Sequence, residues 1–529
     1  MNQESIDITH AKNIYFVGIG GISMSSLALM LLEKGYHVAG SDRDESEQTR
    51  QLVESGVSVY IGQKRENIAS AIDTLGSIDM AILTAAIHPD NPEYAELVAR
   101  GIPMATRAQL VGAIMKMFRH SVGVSGTHGK TTTTSMLSSI LLAAGLDPTI
   151  SIGGILPSIG GTTHIGTGET FVTEACQYTN SFLSFFPTIE IILNVEADHL
   201  DFFKDLDDIR HSFRKFASLL PSDGLLVINS QIEDIGYIIE DTQARVVTFS
   251  LEDVMTIAET ADDTESCRHE LDTHSDTHYD THTANDTMRA ISCDKVGMTK
   301  YHTHYFATDI TYDDLAHPTF TIIKCTSSAD SRTSDGAKDH TVLGQVSLHV
   351  PGRYNIENAM AAIATADCMG VTFADIKKGL DEFTGAKRRF ETKGTYHGAT
   401  IIDDYAHHPQ EIEAALRAAR AMKKGRLYCV FQPHTYTRTH ALLPEFAKAL
   451  EIADIVVLAD IYAAREVNTL GISSSDIADI IIADGGVAHY LGDFGEIHKF
   501  LSVHIAPDDM CITMGAGDVY KIGDMLLSE

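Results

Sequence analysis

A glycine-rich loop between a strand and a helix constrains this chain most strongly. The run from Ser121 to Val124 has strand character, and the loop Gly126, Thr127, His128, Gly129, Lys130, Thr131, Thr132 follows it and opens a helix. Backbone N–H groups of such a loop cradle phosphates, a lysine at its end reaches the β/γ oxygens, and the following threonine can ligate Mg²⁺. The pattern predicts a triphosphate site. The full P-loop motif would have glycine where Val124 stands, so an ordinary Gly-rich turn is the alternative.

A second glycine-rich turn lies near the start of the chain. Gly18, Gly20 and Gly21 follow a predicted strand, Ile14 to Val17, and precede a helix, while Asp42 ends the next strand. This geometry places a diphosphate on a helix N-terminus. Position 23 is Ser where the dinucleotide fingerprint has its third glycine, so a nucleotide diphosphate is favoured over NAD, and a turn without a ligand stays open.

Alternating strands and helices predict an α/β fold with three domains. A chain of 529 residues is too long for one core. Strand-helix units begin near residues 14, 121 and 385, which divides the chain into 1–117, 118–384 and 385–529.

A low-complexity stretch interrupts the second domain at about residues 251–301. It contains 12 acidic and four basic residues and an Asp-Thr-His refrain with His274, His278 and His282. Such a composition cannot bury enough apolar surface to order itself, which predicts a solvated surface insertion. A divalent-metal loop that uses the three histidines is the alternative. The polar stretch 327–338 is predicted to be a further loop.

Composition excludes several functional classes. The chain has a net charge of −32 and no Lys/Arg-rich run, which argues against nucleic-acid binding. No apolar run approaches the roughly 20 residues of a membrane span, and the first residues lack signal-peptide features, so we expect a cytoplasmic protein without membrane partners. Seven scattered cysteines without a CxxC motif predict reduced thiols rather than a disulfide scaffold or a thiolate zinc site.

Eight motifs in a fixed order resemble those of the Mur ligases of peptidoglycan synthesis. They cover nearly the whole chain outside the insertion and are the ranges 18–21, 126–131, 194–199, 351–358, 387–391, 403–409, 431–434 and 514–518. The resemblance implies a Rossmann-like N-terminal domain that binds a UDP-sugar. It also implies a central P-loop-type ATPase domain and a Rossmann-like C-terminal domain that brings the amino acid.

The resemblance also implies a reaction. ATP and Mg²⁺ would activate the lactyl carboxylate of UDP-N-acetylmuramate as an acyl phosphate, and L-alanine would attack it. The enzyme would be a monomer or a homodimer.

Individual residues take roles from the resemblance. Lys130 and Thr131 would hold ATP phosphates and Mg²⁺, and Glu174 and His199 would lie on the magnesium side. Asn355 and Asn358 would lie on the adenine side of the nucleotide, Arg389 would face the γ-phosphate, and Asp404 would contact the nucleotide from the third domain. His408 and Arg438 would face the incoming amino acid.

Without the family, these residues have simpler interpretations. Glu174 can be a surface residue at a strand end, and His199 a hydrogen-bonded core imidazole. The pair Arg388–Arg389 can be solvated, and Asp403–Asp404 can cap a strand. Only their joint order favours a site.

Four positions depart from the family pattern. Gln177 stands where many relatives have an acid, the segment 84–87 replaces a serine-bearing one, Tyr354 replaces a histidine, and Thr435 replaces an arginine of some members. None removes a phosphate or metal residue, so we expect an active enzyme.

Three rival functions remain open from the sequence. A recycling ligase would add a preformed peptide to the same UDP-sugar. A dinucleotide oxidoreductase would use Gly18 to Gly21 but leaves Lys130 unexplained, and a non-catalytic binding protein would keep only the fold. The sequence leaves the preference among L-alanine, glycine and L-serine open.

Overall fold

The computed structural model describes residues 6–84, 87–199, 202–251, 303–327, 338–464 and 466–528. These residues form three β-sheets, each covered by hydrophobic clusters on both faces. Burial on both faces is typical of parallel sheets in α/β proteins and explains why their strands read as continuous apolar runs. The three-domain α/β prediction is therefore confirmed.

The first sheet is parallel, with the strand order β3-β2-β1-β4-β5. The strand order reverses between β1 and β4, since the chain builds outward from β1 to β3 on one side and from β4 to β5 on the other, and this leaves a crevice at the carboxyl ends of β1 and β4. Its elements are β1 (Asn13–Val17), α1 (Ile22–Glu33), β2 (His37–Asp42), α2 (Glu47–Glu54), β3 (Ser58–Ile61), α3 (Glu66–Leu75), β4 (Met80–Leu83), α4 (Pro92–Ala99), β5 (Met104–Thr106) and α5 (Arg107–Met115).

The second sheet contains β6 (His120–Ser125), β7 (Thr149–Leu156), β8 (Gly161–His164), β9 (Thr170–Glu174), β10 (Ile189–Ile192), β11 (Leu225–Asn229), β12 (Arg245–Ser250), β13 (Thr303–Tyr312), β14 (Pro318–Ser327) and β15 (Lys338–Ser347). The strand order is β15-β14-β13-β12-β11-β10-β6-β9-β7-β8, with β6 inside the sheet. Its helices are α6 (Lys130–Ala143), α7 (Leu206–Ala217), α8 (Ile235–Ile238), α9 (Arg353–Cys368) and α10 (Phe373–Asp381), with 3₁₀ turns at Pro157–Ile159 and Tyr178–Ser184.

The third sheet has the order β16-β17-β21-β18-β19-β20 and is parallel except at β16. Its strands are β16 (Glu391–Tyr396), β17 (Ala399–Asp404), β18 (Leu427–Phe431), β19 (Ile455–Ala459), β20 (Ala488–Gly492) and β21 (Met510–Met514). Its helices are α11 (Pro409–Met422), α12 (Tyr436–Ala441), α13 (Leu443–Leu450), α14 (Ser474–Ala483), α15 (Phe494–His504) and α16 (Tyr520–Leu527).

The first two domains share a hydrophobic core. One cluster runs from Ile14 of β1 through Phe118 to Phe213 of α7. The helix α5 approaches the Tyr178–Ser184 turn so closely that a Cβ on Gly112 would lie 2.0 Å from the Ser184 carbonyl oxygen. This contact fixes the C-terminal half of α5 against the middle domain.

The strands predicted from the apolar runs are present, but the antiparallel extension β13-β14-β15 was not predicted. β13 is buried only over residues 303–307, β14 mixes buried and partly exposed positions, and the described side chains of β15 are exposed or partly exposed except Val346. These strands therefore lack the apolar runs, buried from end to end, of the parallel core. The domain boundaries at 117/118 and 384/385 stay predictions. The strands of the first sheet precede the first boundary, those of the second sheet lie between the two boundaries, and those of the third sheet follow the second boundary. No helix in the described ranges is long and apolar enough to span a membrane.

The low-complexity stretch and its three histidines lie outside the described residues, as do residues 328–337 of the second polar stretch. The strands that flank the low-complexity stretch, β12 and β13, are parallel neighbours, with Val247 opposite Thr303. A connection between parallel neighbours must cross back over the sheet, which takes about a dozen residues. The length of any replacement therefore matters.

We expect residues 254–299 to be replaceable by a Gly/Ser linker of about 12 residues with unchanged turnover, because loop closure depends only logarithmically on length and costs about 1 kcal/mol or less here. Deletion of residues 251–302, which joins Ser250 directly to Thr303, is the control and should prevent folding, since one peptide bond cannot return to the start of β13 opposite Val247. Turnover and melting temperature with and without micromolar zinc check this. A loss with the long linker in the absence of metal would contradict it, and a zinc response of the intact protein alone would support the metal-loop alternative.

Glu190 in β10 is a buried carboxyl group with no hydrogen-bond partner for either oxygen among the described residues. Burial raises the pKa of Glu190 well above its ordinary value, whereas the unfolded chain ionises near pH 4.5. Above pH 4.5 the unfolded state therefore binds fewer protons than the folded state, and stability falls as pH rises towards the folded pKa.

Glu190→Gln, which has the same shape and does not ionise, should therefore raise the melting temperature at neutral pH. The gain should grow from pH 4.5 upward by about 1.4 kcal/mol per pH unit until the folded pKa is reached. Thermal unfolding of both proteins between pH 4.5 and 8 measures it. A difference in stability between the two proteins that does not change with pH would contradict the assignment of a protonated Glu190.

Candidate active site

The glycine-rich loop joins β6 to α6 inside the second sheet. Gly126 and Gly129 have φ angles of +144° and +81°, and a Cβ on Gly129 would lie 2.3 Å from Asn358 Oδ1. Only glycine allows this backbone and this close approach. The N–H groups of Thr127 and His128 donate to the carbonyl oxygen and to Oδ1 of Asn194, which holds the loop in place. The part of the loop that suits an anion is therefore its end, at the N-terminus of α6.

Lys130 is the first residue of α6, and its side chain folds back over the loop. Its Nζ donates to the carbonyl oxygens of Gly126 at 2.6 Å and Thr127 at 2.9 Å. The ammonium group is thus held against the carbonyl oxygens of its own loop, at the point where the loop meets α6.

A cavity of about 230 Å³ opens beside the loop, between the middle and C-terminal domains. Of the predicted residues, those that line it are His128, Gly129, Thr132, Asn355, Asn358, Arg389 and Asp404. Asn358 accepts a hydrogen bond from Thr133 of α6 at 3.2 Å and donates to Asn355 at 3.1 Å. The two asparagines are thereby fixed relative to the loop.

The C-terminal domain reaches the loop through neighbouring arginines with different roles. Arg389 Nη2 donates to Thr131 Oγ1 at 3.4 Å, whereas Arg388 turns away and pairs with Asp403 at 3.0 Å and with the Gly515 carbonyl oxygen. The solvated-pair interpretation fails for both. Arg389 lies at the site, and Arg388 anchors the interdomain linker to the third sheet.

Asp404 ends β17 and is buried. Its carboxylate accepts hydrogen bonds from the backbone N–H groups of Phe390 and Ala406, both at 2.7 Å. Burial raises the pKa of Asp404 to about 6, and the positive charge of Arg389 partly opposes this rise. Asp404 thus fixes the linker that carries Arg389 and faces the cavity.

Thr131 and Glu174 approach the same stretch of β7. Glu174 Oε1 accepts a hydrogen bond from the Gly153 N–H at 2.7 Å, and a Cβ on Gly154 would lie 3.0 Å from Thr131 Cγ2. Within the described ranges, no group of three His, Cys, Asp or Glu side chains is already arranged to hold a metal. The hydroxyl and carboxylate oxygens are donors that Mg²⁺ prefers.

His199 belongs to a cluster with Asp198, Arg438 and His408. Its Nε2 lies 3.3 Å from Asp198 Oδ2, its ring stacks on Tyr178 at 4.4 Å, and Arg438 Nη2 lies 3.5 Å from Asp198 Oδ1. Burial opposes ionisation of Asp198, but the nearby His199, Arg438 and His408 lower its pKa. The cluster brings the predicted magnesium-side and amino-acid-side residues together across two domains.

His408 begins α11 and is buried beside the loop. Its ring lies 5.1 Å from that of His128, and both of its nitrogens lack a hydrogen-bond partner in the described structure. Burial, together with the charge of His128, lowers the pKa of His408. A neutral, unpartnered imidazole next to Arg438 can take a proton.

A polar contact between domains was missed by the sequence analysis. His128 Nδ1 lies 3.1 Å from Glu411 Oε1 of α11, and its Nε2 lies 3.4 Å from Glu196 Oε2 and 3.2 Å from Gln410 Oε1. Burial disfavours its charged form, but the two carboxylates outweigh this and raise the pKa of His128 to about 10. A cation between two carboxylates therefore holds the C-terminal domain over the loop.

The first glycine-rich turn lies at the carboxyl edge of the first sheet. Gly18 has φ +83°, and a Cβ there would lie 2.6 Å from Thr84 Cγ2. Gly20 donates its N–H to Asp42 Oδ2 at 2.8 Å, and Gly21 is the N-cap of α1. The four predicted positions therefore lie together at the carboxyl ends of β1 and β2, with Gly18 next to the end of β4.

The positions that depart from the family pattern have different surroundings. Gln177 is 1 % exposed, and its Oε1 has no hydrogen-bond partner among the described residues. Tyr354 lines the cavity, and Thr435 has φ +68° at the start of α12. Ala85 and Ala86 lie outside the described residues.

The fold and the site define a nucleotide-binding enzyme with three α/β domains. Family models match all three: the Mur ligase catalytic domain over residues 13–119, the Mur ligase middle domain over 124–291, and the Mur ligase glutamate ligase domain over 388–517. The chain belongs to the Mur ligase family.

Individual relatives agree with this assignment. The chain is 46 % identical to UDP-N-acetylmuramate–L-alanine ligase of Lachnospira eligens, over 99 % of both chains. It is similar to the crystal structure of UDP-N-acetylmuramate-alanine ligase from Thermotoga maritima, with 25 % identity, a TM-score of 0.69 and 98 % of both chains covered. A murein peptide ligase from Psychrobacter arcticus shares the fold, with 22 % identity, a TM-score of 0.62 and the same coverage.

Proposed function

We propose that this protein is an ATP-dependent ligase that joins L-alanine to the lactyl carboxylate of UDP-N-acetylmuramate in peptidoglycan precursor synthesis. The observation that carries the proposal is that Arg389 and Asp404 of the C-terminal domain line one cavity together with His128 and Gly129 of the glycine-rich loop. Lys130, at the end of the same loop, and the contact of Arg389 with Thr131 add the cations that the reaction needs. The full-length similarity to alanine ligases supports the choice of substrates.

The reaction explains why two cations face one loop. Joining a carboxylate to an amine in water is uphill, so a carboxylate oxygen first attacks the γ-phosphorus of ATP and ADP leaves. The amine then attacks the acyl carbon, and phosphate leaves with that oxygen. Lys130 and Arg389 offset the repulsion between the two anions and stabilise the charge that develops during transfer.

Magnesium would be held by Thr131, Glu174 and His199. The Thr131 and Glu174 oxygens fit a hard cation, and both side chains lie along β7 near the loop. His199 is held by Asp198 and Tyr178, so its ring is fixed towards the domain interface. Bound magnesium would neutralise phosphate charge during the transfer.

The amino acid would enter at the cluster of His408 and Arg438. Arg438 is largely buried, with 15 % of its side chain exposed, and provides a positive partner for the carboxylate of L-alanine. The lowered pKa keeps His408 neutral, so its ring can take the proton that the ammonium group of L-alanine loses before the free amine attacks. At the other end, Gly18, Gly20, Gly21 and Asp42 would bind the UDP part of the sugar.

A ligase that adds a preformed peptide to the same UDP-sugar is the nearest alternative. The chain shares only 22 % identity with a murein peptide ligase, against 46 % with alanine ligases. A dinucleotide oxidoreductase would not use Lys130 or the 230 Å³ cavity. We also expect a cytoplasmic monomer or homodimer.

A panel of acceptors tests the proposal. UDP-N-acetylmuramate and ATP are incubated with L-alanine, glycine, L-serine or an L-Ala-containing tripeptide, and product mass and ADP release are recorded. We expect the highest kcat/KM with L-alanine. Faster turnover with the tripeptide would instead assign the recycling reaction, and turnover with none would reject both.

A further inference from the structure

Arg107 is a cation at the boundary between the first and middle domains that the reaction above does not use. It directly follows β5 and begins α5, so it lies at the same carboxyl edge of the first sheet as the Gly18–Gly21 turn. Ligands of open α/β sheets bind outside this edge. Its position is therefore on the path of a ligand bound at the turn.

The guanidinium has one polar partner among the described residues. Its Nη1 donates to Ser23 Oγ, in the first turn of α1, at 3.0 Å. No carboxylate of the described residues lies within ion-pair distance of it, although burial lowers the pKa of Arg107. A half-buried cation without a counter-ion is costly unless an anion binds to it in the working protein.

The surroundings of Arg107 connect two sites. Ser23 lies two residues beyond Gly21, while Glu174 and Cys176 of the middle domain approach the guanidinium without coming within ion-pair distance of it. The same interface is fixed by the hydrogen bond between Thr163 and Ser26 and by the close approach at Gly112. Arg107 is thus held between the diphosphate turn and the reaction centre.

We infer that Arg107 binds an oxyanion of the UDP-sugar, either the pyrophosphate or the lactyl carboxylate. The inference rests on the proposed function, because it takes its ligand from that reaction. A UDP-sugar that extends from Gly18–Gly21 to Glu174 and Lys130 carries its two anionic groups past this position. An arginine fork there forms charge-assisted hydrogen bonds with either group and sets how far the sugar enters the middle domain.

Calorimetric titration of the full-length protein tests the inference without turnover. UDP, UDP-N-acetylglucosamine and UDP-N-acetylmuramate are titrated into the wild-type protein, Arg107→Ala and Arg107→Lys. We expect Arg107→Ala to weaken binding by about 10- to 100-fold and Arg107→Lys to restore part of the loss. A loss for all three ligands assigns the pyrophosphate, whereas a loss for UDP-N-acetylmuramate alone assigns the lactyl carboxylate.

Arg119→Ala is the matched control, because Arg119 forms an exposed ion pair with Glu169 at 3.4 Å and should leave all affinities unchanged. If Arg107→Ala does not fold, Arg107→Gln replaces it. Unchanged affinity for all three ligands, or an equal loss of ATP affinity, would overturn the inference. If the wild-type protein itself binds no UDP ligand, the proposed function fails instead.

Discussion

Lys130→Ala is expected to lower turnover by about two to four orders of magnitude while leaving UDP-N-acetylmuramate binding nearly intact. The ammonium group lies over the carbonyl oxygens of its own loop, and its charge acts most when the transferred phosphoryl group is most charged. Steady-state kinetics measure the loss, and titration with the UDP-sugar measures the binding.

Lys499→Ala provides the control for this substitution. Lys499 is an exposed residue of α15 in the C-terminal domain, so its removal makes the same change in net charge far from the loop. It should keep wild-type turnover. Near-native turnover of Lys130→Ala would remove the glycine-rich loop from the mechanism.

Glu174→Ala and His199→Ala should each raise the Mg²⁺ concentration needed for half-maximal activity by about tenfold or more, because each removes a group assigned to the magnesium side. Glu174 is bonded to the Gly153 N–H, and His199 is held by Asp198, so neither is a core residue whose loss empties a hydrophobic cluster. Activity is measured over a series of Mg²⁺ concentrations, with thermal unfolding in parallel.

Glu169→Ala is the matched control for the loss of a carboxylate, since Glu169 is exposed and lies just before β9, the strand that ends at Glu174. It should leave the magnesium requirement unchanged. Unfolding of the two site variants at ordinary temperature, with an unchanged magnesium optimum, would return Glu174 and His199 to structural roles.

Local features of the fold and site were predictable because they depend on short stretches of sequence. The strand before Gly126 and the helix after Lys130 follow from adjacent residues, and the parallel strands follow from apolar runs that only a sheet covered on both faces can bury. The roles of Arg389 and Asp404 needed the order of several motifs, because an isolated Arg or Asp has too many structural uses.

Contacts between distant segments were not predictable in this way. His128 meets Glu411, which is 283 positions away in sequence, and Arg107 meets Ser23 across 84 positions. No periodicity or motif in either segment signals its partner. Their significance comes from burial and charge, which only the folded arrangement of the domains provides.

The central claim is that ATP activates the lactyl carboxylate of UDP-N-acetylmuramate. UDP-N-acetylmuramate labelled with ¹⁸O in that carboxylate, mixed with ATP and L-alanine in a single turnover, tests this claim most directly. The account predicts phosphate with one ¹⁸O atom per amide formed, and no phosphate release without the UDP-sugar. Unlabelled phosphate, or release that does not depend on the UDP-sugar, would contradict it.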